Sequence, residues 1–235
     1  MEVAEIMEEL QANGSESIKK ILLKHGVKEP FFGVKIEYLK TIQKKVKKDY
    51  QLAKDLFATG NADAMYLAGL IADDEKMTKA DLQTWVDEAL SNNISEYIVP
   101  WVATGSPYGF ELALEWIDKH DERIAAAGWS TLLNIVSLKA DNELDIAKLK
   151  ALLNRIEQTI HSSPNRVRQA MNGFVIALGT YVAPLADETI AAAHRIGTVV
   201  IDKNGTACKI PKAIDYIKKA TAKGNPVAKK KMVKC

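Results

Sequence analysis

Apolar side chains recur at three- and four-residue spacing in short segments along almost the whole chain. In the first segment Val3, Ile6 and Leu10 fall on one helical face. Glycine, proline and capping residues separate one segment from the next, which indicates short turns between helices. The pattern therefore predicts an all-α protein with roughly a dozen helices of modest length. A β-prone run at 198–201 is isolated and does not compete with this prediction.

Each predicted helix is too short to bury its apolar face alone and needs neighbours on both sides. A stack of helix pairs meets that need, so we expect a HEAT-like helical repeat solenoid, an α-α superhelix. A non-repeating helical bundle is the alternative, because the repeats show no sequence self-similarity. The helices are predicted at 3–10, 16–24, 36–46, 49–57, 62–72, 79–90, 95–103, 108–119, 121–136, 144–161, 165–181, 184–196 and 211–219.

The length of 235 residues suits a single repeat domain, expected at 1–220, followed by a basic C-terminal tail at 221–235. From Lys209 onward there are nine lysines and one acid, Asp215, whereas the first sixteen residues carry five glutamates and no base. This asymmetry indicates a polyanionic partner near the C-terminal end, with a solvated, partly disordered tail as the alternative. The two cysteines, Cys208 and Cys235, favour a reduced, cytoplasmic protein. No signal peptide or membrane-spanning run is recognised.

Cofactor and metal sites have little support in the sequence. The four histidines are scattered and the cysteines form no ligand pair with metal-site spacing. No glycine-rich phosphate loop is present. We therefore expect neither a metal nor a cofactor.

Basic residues on several helices are candidates for phosphate contacts. They lie on one lysine-rich helix and near the starts of two later ones, where free backbone N–H groups also favour anions. For any one cluster, a solvated helix face is the simpler interpretation, but several clusters together favour nucleic acid. The predicted DNA-binding residues are Lys35, Lys40, Lys44, Arg123, Arg166 and Arg168. Large aromatics at helical spacing, mostly expected in the core, are Trp101, Trp116, Trp129, Phe174 and Tyr181.

Three blocks, in order, resemble the first helical repeats of the DNA alkylation repair family, the AlkD-like HEAT-repeat DNA glycosylases. They are 32–40 (FGVKIEYLK), 48–61 (KDYQLAKDLFATGN) and 67–73 (LAGLIAD). The resemblance implies a stack of repeats whose concave, positively charged surface holds duplex DNA. It also implies removal of N-alkylated purines, with a carboxylate that stabilises the oxocarbenium-like transition state and aromatic walls around the cationic base.

The resemblance places Glu96 where the family has its catalytic aspartate, because the following segment 97–100 (YIVP) matches the family's segment. Glu96 is one methylene longer than aspartate, and Asn92 stands where the family has a tryptophan. Phe174 matches a second family tryptophan, and Arg123 approximately matches an arginine before a run of small residues. If the protein excises bases, Glu96 is the expected catalytic acid, with Trp101 and Phe174 near the lesion.

These departures leave two functional hypotheses. The first is a DNA-binding, glycosylase-like protein that acts on alkylated purines with an altered active site. Such a protein would take part in base excision repair and would be associated with the nucleoid when bound to DNA. The second is a non-catalytic HEAT-repeat scaffold that binds a DNA structure or a protein partner.

Overall fold

The computed structural model describes residues 1–203, 205, 210–222 and 227–234, and every regular element within these ranges is helical. The all-α prediction is confirmed. Cys208 and Cys235 lie outside the described residues. The thirteen α-helices are α1 (Val3–Ala12), α2 (Glu16–Lys24), α3 (Ile36–Val46), α4 (Tyr50–Phe57), α5 (Ala62–Ile71), α6 (Lys79–Glu88), α7 (Val99–Gly105), α8 (Gly109–Trp116), α9 (Glu122–Leu138), α10 (Ile146–Thr159), α11 (Asn165–Tyr181), α12 (Ala186–Ile196) and α13 (Ala213–Thr221).

Local capping explains why several of these helices begin where the sequence predicts. Ser15 accepts a hydrogen bond from the Ile18 N–H at the start of α2, and Asp49 accepts one from Leu52 at the start of α4. Thr78 begins α6 with a reciprocal capping box. These caps satisfy N–H groups that have no partner inside the helix. The largest departure from the predicted pattern is at residues 94–98, where the backbone forms a π-helical segment ahead of α7.

By contact density the structure divides into two compact units. The first comprises Met1–Leu112 together with Lys234, and the second comprises Ala113–Val233. The predicted boundary, one domain at 1–220 and a tail at 221–235, stays a prediction, since compactness alone does not define independently folding domains.

Helix α5 forms the centre of the first unit. All ten of its residues are buried, and it packs mainly against α4, α3 and the π-helical segment. Gly69 allows the close approach to that segment, because a β-carbon at this position would overlap the Ile98 side chain. A helix that is apolar and buried on all sides lies in the core, so the π-helical segment packs directly on the core of this unit.

Helices α9 and α11 form the centre of the second unit and make its most extensive helix–helix contact. On α9, Gly128 also allows a close approach to α8 and to Ile117 just after it. A β-carbon on Gly128 would lie 2.8 Å from the Ala113 carbonyl oxygen and 2.8 Å from the Ile117 side chain. Trp129, the next residue, is fully buried.

The basic residues near the C-terminus are attached to the helical units. In the second unit Lys229 lies 2.8 Å from Asp141, and the Lys230 backbone N–H donates to the Ser137 carbonyl at 2.8 Å. In the first unit the Lys234 ammonium lies 2.6 Å from an Asp74 carboxylate oxygen. Burial lowers the pKa of Lys234 and raises the pKa of Asp74, although their mutual attraction opposes both changes. These lysines therefore make defined contacts with the folded units in addition to contributing positive charge.

No single helix in the described ranges is long and apolar enough to cross a bilayer. One bent pair, Asn165–Tyr181 with Ala183–Ile196, meets the length and composition test at an angle of 110°.

Candidate functional site

The segment that contains Glu96 has an unusual backbone. Residues Ile94–Ile98 form a π-helix, in which the Val99 N–H donates to the Ile94 carbonyl five residues earlier. Pro100 accounts for this wider turn, because proline has no N–H to donate and its ring crowds the carbonyl four residues before it, that of Glu96. Single π turns within helices are frequent at functional sites.

The π-helical segment buries several polar groups close together in the sequence. Glu96 is only 6% exposed. The Ser95 hydroxyl and the Asn93 side-chain oxygen are both buried and have no hydrogen-bond partner among the described residues. Buried polar atoms are nearly always paired, so two such atoms without partners in the segment of Glu96 indicate a place where a ligand or water belongs.

Three aromatic side chains pack next to this segment. Trp101 is buried and meets Tyr66 edge-on, with ring centroids 5.8 Å apart. Tyr97 meets Trp101 at 6.5 Å and an interplanar angle of 67°, yet 49% of its side chain is exposed. The predicted lesion-proximal residue Trp101 thus supports two tyrosines, and one of these presents a ring to solvent.

A pocket of about 580 Å³ opens in the same unit, among α2, the start of α3, the start of α5 and Asn93. Its wall is mainly aliphatic, and its polar groups come from Asp63, Tyr66, Asn93 and the charged residues Lys35 and Glu37. Tyr66 and Asn93 are also the residues that join the pocket to the aromatic cluster and to the π-helical segment. The pocket is therefore adjacent to the segment that contains Glu96 and to the aromatic cluster.

Asp63 shapes the wall of this pocket. Its carboxylate accepts backbone N–H groups from Phe32 at 2.6 Å, Gly33 at 3.0 Å and Val34 at 3.3 Å. Burial raises the pKa of Asp63, while these three hydrogen bonds act in the opposite direction. The block 32–40 that carries the family resemblance is thus fixed to α5 through one buried carboxylate.

The lysines of the α3 region divide into paired and unpaired groups. Lys45 pairs with Glu9 at 3.1 Å and Lys48 lies 3.8 Å from Asp73. The predicted DNA-binding residues Lys35, Lys40 and Lys44 have no acidic partner in the part of the chain that the structure describes. Lys35 and Lys44 are exposed, and Lys40 is half-buried. These three cations are thus available to phosphate groups.

The predicted DNA-binding arginines of the second unit are more engaged with the protein. Arg123 pairs with Asp121 at 2.7 Å. Burial raises the pKa of Asp121, but the hydrogen bonds from Arg123 outweigh it and hold the pKa below its usual value. The Arg166 backbone N–H donates to Glu122 at 2.6 Å. The acids at the start of α9 therefore offset part of the positive charge of this region.

Arg168 differs from the other two arginines. Its side-chain Nε is buried and has no hydrogen-bond partner among the described residues. Its remaining surface is partly exposed, so Arg168 stays the strongest phosphate-binding candidate in the second unit.

Phe174 lies in the core of the second unit. It has no exposed surface and packs against Trp129 at a centroid distance of 5.5 Å. Its predicted place near a lesion stays a prediction, and contact with a base requires this ring to become accessible. Trp116 and Trp129 are also fully buried, as expected for core aromatics.

The exposed aromatics are two tyrosines that the sequence interpretation missed. Among the described residues, Tyr97 and Tyr216 are the aromatic side chains with about half of their surface exposed. Tyr97 falls off the apolar stripe of Ile94, Ile98 and Trp101, and that offset is the sequence signal that could have identified it. Within the described ranges no group of three or more histidine, cysteine or acidic side chains could hold a metal ion.

Comparison with known proteins identifies the family of this chain. The family model described as DNA alkylation repair enzyme matches residues 6–217. The chain belongs to this family. Lin0241, an uncharacterized protein of Listeria innocua, is 31% identical over 223 residues, which cover 92% of this chain and 96% of that protein. Lmo0209, an uncharacterized protein of Listeria monocytogenes, is 30% identical over 218 residues, which cover 90% of this chain and 94% of that protein.

A solved structure also matches over the full length of both chains, with 35% sequence identity and a TM-score of 0.92. It belongs to what its description calls a new family of proteins related to the HEAT-like repeat DNA glycosylases with affinity for branched DNA structures. The predicted HEAT-like fold and the resemblance to the DNA alkylation repair family are both confirmed.

Proposed function

We propose that this protein binds DNA and prefers branched structures to continuous duplex. The observation that carries the proposal is the full-length match, at 35% identity and a TM-score of 0.92, to a protein from a family with affinity for branched DNA. Identity above 30% together with a matching backbone over the full length of both chains supports a shared class of ligand.

The charges on α3 support a polyanionic ligand independently of that match. Lys35, which immediately precedes α3, and Lys40 and Lys44 within it lack acidic partners in the described ranges, whereas Lys45 is paired with Glu9. Cations that contact phosphates release condensed counterions from DNA, and this release makes the affinity depend steeply on salt.

Substitutions on α3 test this surface. We expect Lys35→Gln, Lys40→Gln and Lys44→Gln together to reduce the slope of log Kobs against log salt by about one for each phosphate that is no longer neutralised. Lys45→Gln is the matched control on the same helix, and the slope should stay unchanged. Equal slopes for the triple variant and the wild type would remove α3 from the interface. Absence of DNA binding even at low salt would favour the protein-binding scaffold.

Excision of N-alkylated purines is a second candidate function. The buried position of Glu96 in the π-helical segment favours it, because the resemblance gives this residue the role of catalytic acid. A carboxylate near the deoxyribose would stabilise positive charge as the glycosidic bond breaks, and the alkylated base is already a good leaving group. The longer glutamate side chain and the loss of the aromatic wall at Asn92 weigh against high activity.

Release of 7-methylguanine from methylated duplex DNA decides between the two functions. If the enzyme hypothesis holds, wild type releases the base and Glu96→Gln reduces release at unchanged DNA affinity. Binding without any release identifies a non-catalytic member. A place in base excision repair belongs to the enzyme hypothesis, and the same assay on cell extracts lacking the protein tests it. A cytoplasmic location stays a separate prediction, which cell fractionation tests.

A further inference from the structure

Tyr97 is an exposed aromatic ring on an otherwise buried segment. Its neighbours in the π-helix, Glu96 and Ile98, are 6% and 0% exposed, whereas Tyr97 is 49% exposed. Its ring packs at a steep angle against Trp101, which also packs against Tyr66. A rigidly supported, half-exposed ring loses little conformational entropy when a flat ligand stacks on it.

The other exposed aromatic provides a contrast. Tyr216 lies on α13 in the second unit and is 53% exposed. It makes no ring–ring contact with any residue that the structure describes. Exposure alone therefore does not distinguish Tyr97, but its aromatic support and its place beside Glu96 do.

We propose that Tyr97 stacks on the base face that is exposed at a DNA branch point. In a continuous duplex each base pair is covered on both faces by its neighbours, so a protein ring finds no free face. At a branch whose arms are not coaxially stacked, as in a four-way junction without divalent cations, the stack is interrupted, and the last base pair or an unpaired base exposes a face. Stacking of this kind tolerates any base, because every base has a π-face. Tyr97 would therefore select DNA structure without selecting sequence.

This inference rests on the proposed function and explains which residue provides the preference for branches. The lysines of α3 would attract any DNA through its phosphates, whereas Tyr97 would add affinity only where a base face is free. The two contributions can therefore be measured separately. The lysine contribution changes with salt concentration, and the Tyr97 contribution changes with the shape of the DNA.

The test compares a four-way junction with a duplex of the same sequence, using Tyr97→Phe, Tyr97→Leu, Tyr97→Ala and the matched control Tyr216→Ala. We expect Tyr97→Ala and Tyr97→Leu to lose about 5- to 150-fold in junction affinity, the factor associated with one base–aromatic stack. Duplex affinity should stay within about twofold, as should the junction affinity of Tyr97→Phe and Tyr216→Ala.

A second measurement separates a stacking defect from a folding defect. With 2-aminopurine at the branch point, wild type and Tyr97→Phe should quench its fluorescence on binding more than Tyr97→Leu does. If wild type prefers the junction but Tyr97→Leu keeps both the preference and the quenching, this inference is wrong and the proposed function stands. If wild type binds junction and duplex equally, both are overturned.

Discussion

Glu96 and Tyr97 are adjacent in sequence but have opposite environments, which the π turn and Pro100 produce together. Glu96 is buried in the same segment as unpaired polar atoms of Asn93 and Ser95, and about half of Tyr97 is exposed. One segment thus offers a candidate catalytic acid and a candidate stacking surface. Because one side chain is buried and acidic and the other is exposed and aromatic, we expect substitutions at the two positions to affect excision and branch preference independently.

The Lys234–Asp74 pair gives a residue-scale prediction about stability. Lys234→Met leaves the largely buried Asp74 carboxylate without its cation, so we expect a loss of about 1–3 kcal/mol in the free energy of unfolding. The double variant Lys234→Met with Asp74→Asn should recover most of that loss. Urea unfolding measures the free energy of unfolding of both variants, and Lys231→Met, at an exposed lysine, is the control. A single variant as stable as wild type would show that the pair contributes nothing.

At the scale of elements, the packing of α5 on the π-helical segment depends on Gly69. Alanine usually stabilises a helix interior relative to glycine by about 0.5–1 kcal/mol. Here its β-carbon would overlap Ile98, and overpacking of a core typically costs about 1–3 kcal/mol, so the steric effect should dominate. We therefore expect Gly69→Ala to lower the urea midpoint, and Ile98→Ala to relieve part of the loss in the double variant. Simple additivity of the two changes would contradict this explanation.

The start of α6 gives a pH prediction. Burial raises the pKa of Asp81, but hydrogen bonds from Lys54, Thr78 and Tyr50 outweigh it and hold the pKa well below its usual value. A depressed folded pKa stabilises the protein above the unfolded pKa of about 3.9, and this stabilisation is lost as the pH falls below it.

Unfolding by urea at pH 6 and pH 3 tests the direction of this pH dependence. Wild type should lose more stability than Asp81→Asn between the two pH values, because the variant has no carboxylate to protonate. The exposed Asp55→Asn should behave like wild type. A pH dependence of Asp81→Asn equal to that of wild type would contradict the assignment.

Helix boundaries were largely predictable because their signals are local. Ser15, Asp49 and Thr78 cap helices with their own side chains, and the apolar spacing identifies the buried faces. The π turn was not predicted, since a proline inside an apolar run also fits an ordinary helix start. The exposure of Tyr97 and the full burial of Phe174 depend on packing with residues distant in sequence, such as Tyr66 and Trp129.

For the whole molecule, family membership and the HEAT-like fold follow from matches that span nearly the entire chain. The charge distribution predicted a polyanionic partner, and the structure adds which lysines lack acidic partners among the described residues. The basic C-terminal region is less free than its composition suggests, because Lys229 and Lys234 each contact an aspartate. The α3 lysines are therefore stronger candidates for phosphate contacts than these two tail lysines.

Recognition of branched DNA is tested most directly by the affinity ratio of a four-way junction to its sequence-matched duplex. Fluorescence anisotropy with the full chain, at several salt concentrations, measures both affinities. We expect affinities that fall steeply with salt for both DNAs and a ratio that favours the junction at every concentration. Equal affinity for junction and duplex, or no binding to either at low salt, would contradict the proposed function.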